Sequence, residues 1–166
     1  MKAAALGIVV LTLCSTAFAQ APSAVATLAP TAGNTAAGTV SFTQQGETVL
    51  VAVDATGLKP GPHGFHVHEK GDCSAPDATS AGGHFNPTGQ PHGDPKGAAH
   101  HLGDMPMLVA DSSGNAKLKF EFGPATLRGG PNDIVGRSVV VHADADDFKT
   151  QPAGNSGARV ACGVIK

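Results

Sequence analysis

At 166 residues the chain is long enough for one domain with its own core, and its 22 Gly and 12 Pro argue against a helical bundle. With 14% charged residues, a formal charge of -2 and neither Trp nor Tyr, the sequence gives no electrostatic reason to expect nucleic acid or an acidic membrane surface as a partner.

Residues 1–19 read as a secretory signal peptide. Lys2 supplies a positive start, Ala3 to Leu13 form a short apolar run, and Ala17-Phe18-Ala19 places small residues before a cleavage point at Gln20. The run is too short to span a bilayer comfortably, so no membrane span is expected. An alternative is lipidation of Cys14, although the bulky Leu13 directly before it weakens that reading. Removal of the leader leaves residues 20–166 as one domain of charge -3 with two cysteines, Cys73 and Cys162. In an oxidising compartment such a pair is expected to form a disulfide tying the middle of the chain to its C-terminus.

The remainder reads as short strands. Val49, Val51 and Val53 alternate with Leu50, Ala52 and Asp54, and Leu118, Phe120 and Phe122 alternate with Lys117, Lys119 and Glu121. Further strands are expected over Ala24 to Leu28, Gly38 to Thr43, Gly64 to Glu69, Pro106 to Ala110, Ser138 to His142 and Ala158 to Val164, with turns such as Gln45-Gly46-Glu47 between them. About eight strands in one domain predict an all-β fold, a sandwich or a closed Greek-key barrel. Two segments, Gly71 to Gly103 and Ala143 to Gly157, break the pattern and read as long functional loops.

Seven of the eight histidines lie between Gly61 and Gly103. Residues i and i+2 of a strand share a face, so His66 and His68 can offer two imidazoles to one ion while Phe65 and Val67 face the core. His142 ends another strand and is a natural further ligand. His84, His92, His101 and Asp104 make a set of three nitrogens and one carboxylate oxygen that suits tetrahedral zinc. For His63 a hydrogen bond to backbone near the strand entrance is expected, and for His100 a solvated position beside His101.

These motifs occur in a known order. Gly64-Phe65-His66-Val67-His68-Glu69, Gly82-Gly83-His84-Phe85-Asn86-Pro87, His92-Gly93, His101-Leu102-Gly103-Asp104, Gly136-Arg137-Ser138-Val139-Val140-Val141-His142 and Gly157-Ala158-Arg159-Val160-Ala161-Cys162-Gly163-Val164 resemble the copper/zinc superoxide dismutases. The leader and the position of Cys73 resemble the exported bacterial branch, which implies a periplasmic location. The resemblance implies an eight-stranded Greek-key β-barrel that holds one copper and one zinc ion per subunit, as a monomer or homodimer. It further implies copper ligation by His66, His68, His84 and His142, and zinc ligation by His84, His92, His101 and Asp104. By the same resemblance His84 bridges the two ions, Arg159 receives the superoxide anion, and Asp146 links a copper histidine to a zinc histidine. The implied reaction converts superoxide to molecular oxygen and hydrogen peroxide through a copper ion that changes oxidation state.

Three points qualify the pattern. The segment between His142 and Arg159 is shorter than in cytosolic members and retains one lysine, Lys149, so Lys70 beside the His-x-His strand is an alternative source of guiding charge. A non-enzymatic copper or zinc carrier is a rival reading, but a degenerate relative is expected to lack a copper ligand or the arginine, and all are present here. A dinuclear zinc hydrolase is a second rival, but those sites usually place Asp two residues after the second histidine, where this chain has Lys70.

Overall fold

A computed structural model describes residues 20–166 of the chain. The leader expected over residues 1–19, with Cys14, lies outside the described residues. Nine antiparallel strands follow in order: β1 (Ser23–Pro30), β2 (Ala37–Gln45), β3 (Thr48–Thr56), β4 (Gly61–His63), β5 (Phe65–His68), β6 (Leu108–Ala110), β7 (Ala116–Phe122), β8 (Ser138–His142) and β9 (Arg159–Val164). The eight expected strands are present, within a few residues at their ends. The ninth, β4, is a three-residue piece split from β5 at Gly64.

Seven strands form one sheet in the order β5-β8-β9-β1-β2-β3-β7, and β4 pairs with β6 in a second. β6 packs beside β7, and β4 runs directly into β5, so the two sheets wrap around a common core. The chain leaves β3 for β4 on the far side and returns through β6 to β7, which pairs with β3; this is a Greek-key path. Between β5 and β6, residues 69–107 form no strand, which frees that segment to carry a site.

Alternating hydrophobicity sets the inward faces. In β3, Val49, Val51, Val53 and Ala55 are buried, and opposite them in β2 lie Val40 and Phe42. β5 and β8 differ, because every residue in both is buried. Phe65, Val67, Val139 and Val141 enter the barrel core, while His66, His68 and His142 belong to the opposite, outer face, beneath the two long loops. The long loops are therefore the second layer over those strands.

The first loop carries a short 3₁₀ turn, Thr79–Ala81, and a disulfide between Cys73 and Cys162 of β9. Ala78, Ala81, Val140 and Cys162 make a small apolar cluster with Cys73 that seats this loop on the sheet. No helix among the described residues is long and apolar enough to cross a membrane.

Candidate metal centre

Three main-chain hydrogen bonds lace the loop to β5. The Val67 amide donates to Gly103 O (2.9 Å), the Phe85 amide to Val67 O (2.8 Å) and the Gly103 amide to Phe85 O (2.8 Å). The neighbours of these three residues are His66, His68, His84 and Asp104, so the triangle brings distant stretches of sequence to one place. Gly103 is required there, since a Cβ would collide with the Val67 carbonyl and the Phe85 amide nitrogen.

Two quartets result. His66, His68, His84 and His142 each offer a ligand atom, as do His84, His92, His101 and Asp104; within each group these atoms lie within 4.8 Å of one another, and all seven residues are buried. His84 belongs to both quartets. Its Nδ1 donates to Asp104 Oδ1 at 2.8 Å, while its Nε2 is buried with no hydrogen-bond partner. The ring stacks on His66, with centroids 3.9 Å apart, and His66 Nδ1 is the other unpartnered buried nitrogen. A buried polar atom without a partner is costly, and two in one cluster are accounted for by an ion that takes their lone pairs.

The remaining nitrogens converge in the same way. His68 Nε2 lies 3.4 Å from His142 Nε2, and His101 Nδ1 lies 3.3 Å from His84 Nδ1. Four ligands at about 2.0–2.1 Å from zinc stand at tetrahedral edges of about 3.3–3.4 Å, so these spacings fit metal coordination. Both quartets therefore fit a transition-metal ion, the all-imidazole one suiting copper and the one with a carboxylate suiting zinc.

Partners behind the ligands fix which nitrogen faces inward. His68 Nδ1 donates to Gly82 O (2.9 Å). Asp146 accepts from His66 Nε2 at 2.6 Å and from His92 Nε2 at 2.9 Å, and so joins one histidine of each quartet. His92 Nδ1 donates to Asp104 Oδ1 (3.0 Å), and Asp104 Oδ2 accepts from the amides of Gly93 (3.1 Å) and His101 (2.8 Å).

Burial and charge set the protonation. Burial pushes His84 down to about 4 and His142 to about 3, the latter helped by repulsion from His66. Burial, with repulsion from His84 and His142, also holds His68 well below the usual range. For His92 burial acts in the same sense, but bonds to Asp104 and Asp146 outweigh it and raise the group to about 9. Burial opposes ionisation of Asp104 and Asp146, yet hydrogen bonds from the imidazoles and nearby amides win, and both carboxyls lie well below their ordinary value.

An open cavity of about 290 Å³ gives access to His68, His84, His101 and His142; Gly83, Asn86, Pro152, Ala153 and Arg159 complete its walls. Arg159 is pinned by two bonds of 2.6 Å from its guanidinium to Ala78 O and Gly82 O. Among the described residues it is the only lysine or arginine lining the cavity, and neither Lys70 nor Lys149 is among the lining residues.

The other two histidines lie outside the quartets. His63 hydrogen-bonds backbone at both nitrogens, to His142 O at 2.7 Å and Lys59 O at 2.8 Å. His100 is half-buried rather than solvated, because its ring folds back onto His101 O at 2.7 Å. Asp146, which the family resemblance alone singled out, bonds one histidine of each quartet, and Arg159 lines the cavity. Gln151, which bonds His92 through its side chain, carried no sequence signal, since a lone glutamine in a loop has no spacing to read.

An all-β barrel with two adjoining ligand quartets that share one imidazole defines a metalloprotein with paired transition-metal sites. The family model for copper/zinc superoxide dismutase matches residues 36–165, and the chain belongs to that family. A Cu-Zn superoxide dismutase of Deinococcus radiodurans is 41% identical over 140 residues, covering 78% of this chain and 76% of the relative. An extracellular Cu-Zn superoxide dismutase of Brugia pahangi is 42% identical over 137 residues, covering 77% and 68%. A crystal structure of the clock protein EA4 superposes with a TM-score of 0.79 at 40% identity, covering 92% of this chain and 98% of its own.

Proposed function

We propose that residues 20–166 form a superoxide dismutase domain in which His66, His68, His84 and His142 hold copper and His84, His92, His101 and Asp104 hold zinc. The activity is dismutation, in which two superoxide anions and two protons yield one molecule of oxygen and one of hydrogen peroxide. The observation that carries the reading is His84, which belongs to both quartets, with Nδ1 against Asp104 and Nε2 buried and unpartnered. When bound, copper supplies a one-electron couple, and zinc supplies fixed positive charge without redox chemistry of its own.

The protein's contribution is orientation and charge. His68 and His142 are neutral at pH 7 because they are buried, so their lone pairs are free to ligate. His92 holds a proton between two carboxylates and gives it up on zinc binding, so metal uptake there releases a proton. Asp146 keeps the rings of His66 and His92 turned so that their Nδ1 atoms face the two quartets. Arg159 has five N–H groups, of which two bind carbonyls; the rest are available to an anion in the cavity it lines.

The leader-like residues 1–19, the disulfide and the extracellular relative support export, with the periplasm as the site of action. Metal analysis of single-residue variants tests the ligand assignment. His142→Ala should lose copper and keep zinc, His101→Ala should lose zinc and keep copper, and His84→Ala should weaken both. Equal loss of both metals in the first two variants would contradict the assignment.

A further inference from the structure

We infer that Gln151 is a positioning residue, whose carboxamide clasps the main chain of His92 and so sets both the zinc-side imidazole and the rim of the cavity. The inference rests on the assignment of His92 to zinc. Gln151 Oε1 accepts from the His92 amide at 2.9 Å, and Gln151 Nε2 donates to His92 O at 2.9 Å. Its Nε2 also donates to Lys149 O at 3.2 Å. One acceptor and one donor on the same residue's amide and carbonyl is the pairing a neighbouring β-strand offers, here supplied by a side chain.

Three hydrogen bonds join segment 86–101 to segment 143–157 among the described residues, and all three end on His92. Asp146 fixes the ring at Nε2, and Gln151 fixes the backbone that carries it. Both come from the same loop. The next two residues, Pro152 and Ala153, line the cavity beside Arg159. One amide therefore ties the wall of the substrate cavity to a ligand of the second quartet.

Gln151 is exposed, so packing gives it no reason to take this geometry. An exposed glutamine gives up rotamer freedom when held in one pose, and here the three hydrogen bonds offset that loss. Its effect falls on the order of the two loops, not on the barrel core. Partners that orient metal ligands are commonly worth 10–100-fold in metal affinity; an exposed one belongs at the low end, about tenfold.

The test uses the metal-loaded protein with Gln151→Met, which keeps the length without the amide, and Gln151→Glu, which keeps the acceptor but sets a second oxygen against His92 O. Zinc release into a chromophoric chelator is followed, and in parallel the visible absorption of cobalt(II) placed in the zinc position. Both variants should release zinc about tenfold faster and shift the cobalt band. Release within twofold of the parent in both, or faster release with an unchanged cobalt band, overturns the inference. His92→Ala is the control: if it releases zinc at the parent rate, the zinc assignment fails and the Gln151 inference fails with it. If His92→Ala loses zinc while both Gln151 variants behave as the parent, only the Gln151 inference is lost.

Discussion

Replacing Gly154 by alanine perturbs the link between the quartets without removing a polar group. Gly154 is buried with φ +65°, and a Cβ there would lie 2.6 Å from His92 Nε2 and closer still to Asp146 Oδ1. A carbon needs about 3.5 Å from such neighbours, so the Asp146 to His92 bond has to open. A left-handed alanine costs about 1–2 kcal/mol, and a displaced hydrogen bond to a buried carboxylate about 1.5–3 kcal/mol. Gly154→Ala should therefore destabilise the metal-free protein by about 2.5–5 kcal/mol, read from the midpoint of denaturant unfolding at pH 7. Gly46 provides the control, because its φ is +58° and nothing lies within 4 Å of its would-be Cβ. Gly46→Ala should lose the backbone part alone, about 1–2 kcal/mol. Equal losses in the two variants, to within about 0.5 kcal/mol, would refute the contact argument.

Removing the disulfide with Cys73→Ser and Cys162→Ser opens a loop of sequence separation 89, for which the chain-entropy model gives about 4–5 kcal/mol. A loss below about 1 kcal/mol in urea unfolding would contradict it. The metal-free protein should be most stable near pH 6.5–7. Below about 6.5 the unfolded chain takes up protons that His84 and His142 refuse until about 4 and 3, so their stabilisation is lost as pH falls through that range. His92 has the opposite sign, its stabilisation being complete below about 6.5 and lost as pH rises towards 9. A denaturation midpoint that climbs steadily from pH 4 to 9 would refute this balance. Lys70 is exposed and outside the cavity, so Lys70→Gln should slow turnover at low ionic strength and match the parent at about 1 M salt, where screening acts within about 3 Å. An unchanged salt dependence would remove Lys70 from any guiding role.

Much of the barrel was legible because alternation has a physical cause. Val49, Val51 and Val53 are buried as their spacing required, and β8 begins and ends at the expected residues. The His66 and His68 pair was legible for the same reason, since a strand puts both on one face. Shared membership of His84 could not be read from spacing; it came from the family resemblance and depends on a triangle of main-chain bonds among Val67, Phe85 and Gly103. β4 escaped because its three residues, Gly61-Pro62-His63, carry no apolar alternation. His100 was misplaced because its contact is with the carbonyl of the residue beside it, which no periodicity encodes. The Gln151 clasp was invisible because loop side chains that bond backbone leave no repeat.

The most direct measurement is superoxide disappearance by residues 20–166 reconstituted with copper and zinc, beside a zinc-only sample and His142→Ala. The account predicts rapid loss of superoxide that requires both copper and His142. Tight binding of both metals without copper-dependent turnover would contradict it and would leave a carrier in place of an enzyme.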